Sequence, residues 1–125
     1  MKRFVYCAML VALPAVALHA QDRAASDHAV GAARDVWQQQ SGYVTQAAED
    51  MPEGKYAYKP TPDVRSFGQL IAHVAGSQYM FCAAAIGDSA RAEDDIEKKG
   101  STSKAELVAA MRASNKYCAR AYGQS

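Results

Sequence analysis

The chain has 125 residues, with 14 Lys and Arg against 13 Asp and Glu, three His, three Cys and half its residues apolar. That length holds a single domain, at about 100–200 residues each, and excludes an enzyme with a separate nucleotide-binding fold. The near balance of charge excludes a nucleic-acid binder held by a basic face, and the apolar half excludes a chain disordered by composition.

Residues 1–20 read as a secretory signal peptide. Lys2 and Arg3 precede an uncharged apolar run from Phe4 to Leu18, broken only by Pro14, and the small residue Ala20 stands just before the polar pair Gln21-Asp22. The run is shorter than the ~20 residues of a membrane span, so an uncleaved anchor is the weaker alternative. Cys7 lies inside the run and is not placed as a lipoprotein cysteine. The expected mature chain is residues 21–125, exported to the periplasm or secreted. It keeps Cys82, Cys118, His28 and His73, and loss of Lys2 and Arg3 brings its net charge from +1 to −1. In an oxidising compartment two cysteines tend to be bridged.

Three helical patterns follow, and no strand pattern competes. The first spans about residues 26–50, with Val30, Ala33, Trp37, Val44, Ala47 and Met51 as its apolar stripe and Gln40 in the polar gap. Met51-Pro52-Glu53-Gly54 stops it. Residues 52–65 form a loop with three prolines. Tyr56 and Tyr58 suggest that this loop packs against the helices rather than hanging free. The second helix, residues 67–87, starts from Ser66 in a capping box with Gln69. Its expected inward face is Phe67, Leu70, Ile71, Val74, Gln78, Phe81 and Ala85.

Residues 88–102 are a long polar connection. Its acidic cluster, Glu93, Asp94, Asp95 and Glu97, lacks a calcium-loop signature and reads as a solvated charged turn. The third helix, residues 103–122, opens with Ser103 and Glu106, and Leu107, Met111, Ser114, Cys118 and Ala121 form its inner stripe. Trp37, Tyr43, Tyr56, Tyr58 and Tyr79 could line a pocket, but at helical or strap positions they are expected in the core. Three amphipathic helices without strands predict an all-α bundle.

No Gly-rich phosphate loop, G-x-S-x-G elbow, H-E-x-x-H or C-x-x-C-H occurs. His28 reads as solvated. His73 lies at one edge of the second helix's inner face, on the side of Ser66, Gln69, Ser77 and Met80. A metal ligand suits that semi-polar stripe, and so does a histidine bonded to a neighbouring hydroxyl. One histidine alone makes no metal site.

The stretch from Glu49 to Gly87, with Lys-Pro-Thr-Pro, then Ser-Phe-Gly, then Ala-His-Val-Ala, resembles secreted members of the DinB-like superfamily. The resemblance extends back to Trp37 and forward through Ser103-Lys104-Ala105-Glu106 to Tyr122. It implies a four-helix bundle in up-down-down-up order. Metal-binding members hold a divalent ion, often zinc or nickel, with one histidine on the second helix, matched here by His73, and an H-x-x-x-H pair on the fourth. Some relatives are thiol-dependent transferases or isomerases, and the family name does not imply DNA binding.

No H-x-x-x-H occurs here, so only three of the four helices are expected in this chain, with the fourth missing. Two functions stay open. The favoured one is an exported, non-catalytic bundle that binds a small molecule or protein. The alternative is a metal-dependent thiol transferase or hydrolase using His73 and an H-x-x-x-H pair absent here. No nucleic-acid partner and no membrane anchor after cleavage are expected. A homodimer is one way to cover the flank that a fourth helix would cover.

The parallel order of the second and third helices, which the resemblance implies, also bears on the cysteines. Cys82 and Cys118 then stand at matched depth and are expected to form a disulfide. Two free core cysteines or a redox pair are the alternatives, and antiparallel helices would hold the sulfurs far apart. His73 lies nine residues before Cys82, about half a turn around the helix, so any metal site and the disulfide would be separate.

Overall fold

The computed structural model describes residues 13–100 and 103–123, with side chains from residue 26 onward. It holds three α-helices, α1 (Leu13–Asp50), α2 (Phe67–Ile86) and α3 (Lys104–Gly123), with short 3-10 turns at Glu53–Lys55 and Glu97–Lys99. Among the described residues there is no strand, and no helix is long and apolar enough to cross a membrane. Of the expected signal peptide, residues 1–12 lie outside the described residues, and residues 13–20 are described by their backbone alone. The chain divides into two compact units, Met1–Asp35 and Val36–Ser125. The second carries the bundle.

The first helix is longer than the pattern predicts. Its apolar stripe is legible only from about residue 26, yet helical backbone extends back to Leu13. That stretch is rich in alanine, and its one proline, Pro14, sits in the first turn, where a missing N–H costs nothing. Pro52 ends the helix by disfavouring helical backbone at Met51. The second helix starts as predicted. Ser66 Oγ accepts from the Gln69 N–H at 3.2 Å, and the Gln69 side chain accepts from the Ser66 N–H at 2.9 Å. Gly87 closes α2 in the left-handed region, at φ 71°, where a side chain would be strained.

The directions of the helices follow from their cross-links. Gln78 pairs with Asn115, 37 residues on, and Cys82 with Cys118, 36 residues on. A nearly constant offset means that α2 and α3 run parallel. The segment of α1 from Val36 runs the other way. Its start, at Trp37, meets Gln78 and the Tyr122 ring, while its end, at Ala48 to Met51, meets Tyr56 and Lys104. The Lys104 ammonium donates to the carbonyls of Glu49 and Met51. A cation thus stands at the negative end of α1 and ties it to the first turn of α3.

The core is Ala48, Tyr56, Ile71, Ala72, Ala75, Leu107 and Met111. On α3 the predicted stripe holds, with Leu107, Met111, Ser114 and Cys118 all buried. Two stripes need correction. On α1 it is Ala48, not Ala47, that is buried. On α2 the buried face is Ile71, Ala72, Ala75, Gly76, Cys82 and Ala83, while Leu70 and Phe81 are 47% and 66% exposed. Ala85 is exposed as well. The cause is close packing: α2 turns its small residues to its neighbours and leaves larger apolar side chains outside. Tyr43 and Tyr58 also lie outside the core predicted for them, whereas Tyr56 is buried.

A polar ladder crosses the three helices inside this unit. The Trp37 indole donates to Gln78 Oε1 at 3.2 Å, and Gln78 Nε2 donates to Asn115 Oδ1 at 2.9 Å. Asn115 Nδ2 donates in turn to Thr45 Oγ1 at 2.9 Å. Each partly buried amide is satisfied only with its neighbours in place. Gln78→Leu leaves the indole N–H and the Asn115 carbonyl without partners. It is expected to lower stability by about 1–2 kcal/mol, read by urea denaturation.

Tyr56 pins the loop after α1. Its hydroxyl donates to the Ala48 carbonyl, its ring meets Phe67 edge-on at 5.2 Å, and its carbonyl accepts from the Gly68 N–H at 2.8 Å. A Cβ on Gly68 would lie 3.2 Å from that carbonyl, so glycine permits the close approach. Burial chiefly, then the charges of Glu53 and Glu49, raise the Tyr56 phenol above its ordinary pKa of 10.0. A raised phenol favours the neutral form in the folded chain. Its contribution is therefore present in full below about pH 10 and is lost as pH climbs through the raised value. Tyr56→Phe is expected to shallow the alkaline limb of the stability profile and to cost about 1 kcal/mol at neutral pH, read by denaturation from pH 7 to 11.

Candidate binding cleft

The connection between α2 and α3 is not a free solvated turn. It folds back along α2 as a strap, and Gly76 is the contact point. A Cβ on Gly76 would lie 2.0 Å from the Glu93 carbonyl oxygen, a clash that any residue larger than glycine would force. Side chains then hold the strap on both sides of His73. Glu93 Oε1 is 3.5 Å from His73 Nε2 and accepts from the Ser77 hydroxyl at 2.8 Å. Glu97 Oε2 is 3.7 Å from His73 Nδ1. Arg65, at the end of the preceding loop, closes on Glu97 with Nε 2.9 and 3.1 Å from its two oxygens. The predicted acidic cluster thus splits. Glu93 and Glu97 face α2, Asp94 pairs with Lys98 at 2.9 Å, and Asp95 Oδ2 accepts from the Ala92 N–H at 3.2 Å.

His73 does occupy the semi-polar edge predicted for it, beside Ser77. Its surroundings do not fit the metal that the sequence resemblance implies. The two carboxylates approach different ring nitrogens, so no single point is shared by His73, Glu93 and Glu97. Among the described residues no group of three or more His, Cys, Asp or Glu is arranged to hold a metal ion. His73 Nδ1 is buried without a hydrogen-bond partner among the described residues, facing Glu97 at ion-pair rather than hydrogen-bond distance. His28 is exposed and belongs to the first unit. Cys82 and Cys118 stand at disulfide distance, with their Cα atoms 5.3 Å apart, on the side of α2 that faces α3.

Between α2, the strap and α3 lies a cleft of about 620 Å3. That falls within the ~300–1,000 Å3 common for small-molecule sites. Helix α2 supplies Gly76 and Tyr79, the strap Arg91, Asp95, Ile96 and Lys99, and α3 Glu106, Leu107 and Ala110. The Arg91 guanidinium stands 4.4 Å over the Tyr79 ring and 5.2 Å from the Tyr117 ring. Those two rings are themselves 5.1 Å apart, so the cation is seated on an aromatic pair. Among the described residues, the polar groups of the lining are the Asp95 and Glu106 carboxylates, the Arg91 and Lys99 cations and the Tyr79 phenol.

Sequence reading offered only Tyr79 as pocket lining and missed the rest, because Arg91, Asp95, Ile96 and Lys99 lie in a connection read as a solvated turn. One signal was available. Gly76 is an isolated glycine inside an apolar helix, which marks a close approach by another backbone.

A family model described as the DinB superfamily matches residues 37–124. No curated protein and no solved structure shows a significant match to the chain.

Proposed function

This chain belongs to the DinB superfamily, and we propose that it is an exported helical bundle that binds a small molecule between α2, the strap and α3 without chemistry of its own. The observation that carries the reading is the cleft, which joins an apolar floor to two cations beside the Tyr79 ring. Two features support export. Residues 1–20 have the order of a secretory signal, and the Cys82 and Cys118 sulfurs lie at disulfide distance, which suits an oxidising compartment. The metal-dependent alternative gains no support from His73, whose ring nitrogens face two different carboxylates.

The test is a thermal-shift screen of a small-molecule library against the exported chain and an Ile96→Trp variant, whose indole fills the cleft. Compounds that stabilise the parent chain and not the variant are the expected result. A screen in which no hit depends on Ile96 overturns the reading. Mass analysis of the exported product is expected to place its first residue at or near Gln21, and a product retaining Met1 contradicts the export.

A further inference from the structure

We propose that the cleft selects a small organic anion with a flat apolar body, its acidic group held by Arg91 and Lys99. The inference rests on the binding reading above and names the ligand class. The cleft lining carries both signs of charge, so the selection depends on which charges are already satisfied. Asp95 accepts from the Ala92 N–H and lies near Lys98, the partner of Asp94. Glu106 sits in the first turn of α3, where the helix end favours a carboxylate. The cations differ. Among the described residues, neither Arg91 nor Lys99 forms an ion pair with a carboxylate.

Arg91 is held in place without being neutralised. Seated over Tyr79 and Tyr117, it keeps its planar edge of N–H donors free for an oxyanion. The apolar part of the lining, Ile96, Leu107 and Ala110 with the Tyr79 ring, suits a flat hydrocarbon body. Both halves of the ligand therefore find a partner in one cleft.

Isothermal titration of the exported chain with 1-naphthoate and with 1-naphthalenemethanol tests the selection, since the two share a ring system and differ in charge. Naphthoate is expected to bind at least about ten-fold tighter than the alcohol. Arg91→Met is expected to remove most of that preference, and Tyr79→Leu to weaken both ligands. Arg91 is exposed and its replacement leaves the core intact, so far-ultraviolet circular dichroism should match the parent. Equal affinity for the two ligands, or a preference that survives Arg91→Met, overturns anion selection. If the library screen yields Ile96-dependent hits while naphthoate does not bind, the anion inference fails alone. If neither gives a cleft-dependent signal, the binding reading fails with it.

Discussion

Gly76→Ala is expected to unseat the strap and to lower stability by about 2–3 kcal/mol. The new methyl carbon would be placed 2.0 Å from the Glu93 carbonyl oxygen and 3.1 Å from its carbon. The obstacle is backbone, so no side-chain rotation relieves the clash. The strap must move outward, and that draws Glu93 away from His73 and Ser77. For a unit of this size the loss corresponds to a fall of roughly 10–20 °C in Tm. A second reading comes from limited proteolysis, in which cleavage within residues 88–102 should become faster than in the parent. Gly42→Ala is the control. A Cβ there meets nothing within 4 Å, and alanine in the helix should stabilise by about 0.5–1 kcal/mol. A Gly76→Ala chain as stable and as protease-resistant as the parent would show that the strap does not rest on α2 there.

The second large effect is expected from the cysteines. Replacing both Cys82 and Cys118 by serine should cost about 3–4 kcal/mol, the chain-entropy contribution of closing a loop of this length. The two residues are 36 apart in sequence and almost fully buried, so the loop encloses the strap and most of α3. The measurement is guanidinium denaturation of the purified chain with and without reductant. The reduced parent and the double variant should share a midpoint well below that of the oxidised parent. Two thiols that alkylate readily in the unreduced, denatured chain would rule out the bridge.

Both effects centre on α2, and α2 is where the sequence was hardest to read. Its residues are apolar on nearly every side, so periodicity did not choose a face. Leu70 and Phe81 were placed inward on hydrophobicity, yet the packed face is built of Ala72, Ala75, Gly76 and Ala83. Small residues let α2 approach α3 and the strap closely, and that close packing takes the place of burying Leu70 and Phe81. Helix α3 was legible because it has one apolar stripe against charged faces, and Leu107, Met111, Ser114 and Cys118 fell where the spacing put them. The capping box at Ser66 was legible because it is purely local.

The cleft was not legible. Its cations, like the Glu93 and Glu97 carboxylates beside His73, sit in a connection whose course depends on tertiary contacts, and only Gly76 marked where it would land. His73 was found, but its neighbours were not. Residues 20 and 24 positions away in sequence reach it only because the strap doubles back.

On the proposed reading the bundle binds its ligand by charge and shape in the cleft and does not work through a metal at His73. Elemental analysis of the purified chain beside a His73→Ala variant separates that reading from the metal-dependent one. The expected result is that neither protein carries zinc or nickel in stoichiometric amount. Near-stoichiometric metal in the parent, lost in His73→Ala, would contradict the proposed reading and make His73 a ligand in a site completed by residues beyond Glu93 and Glu97.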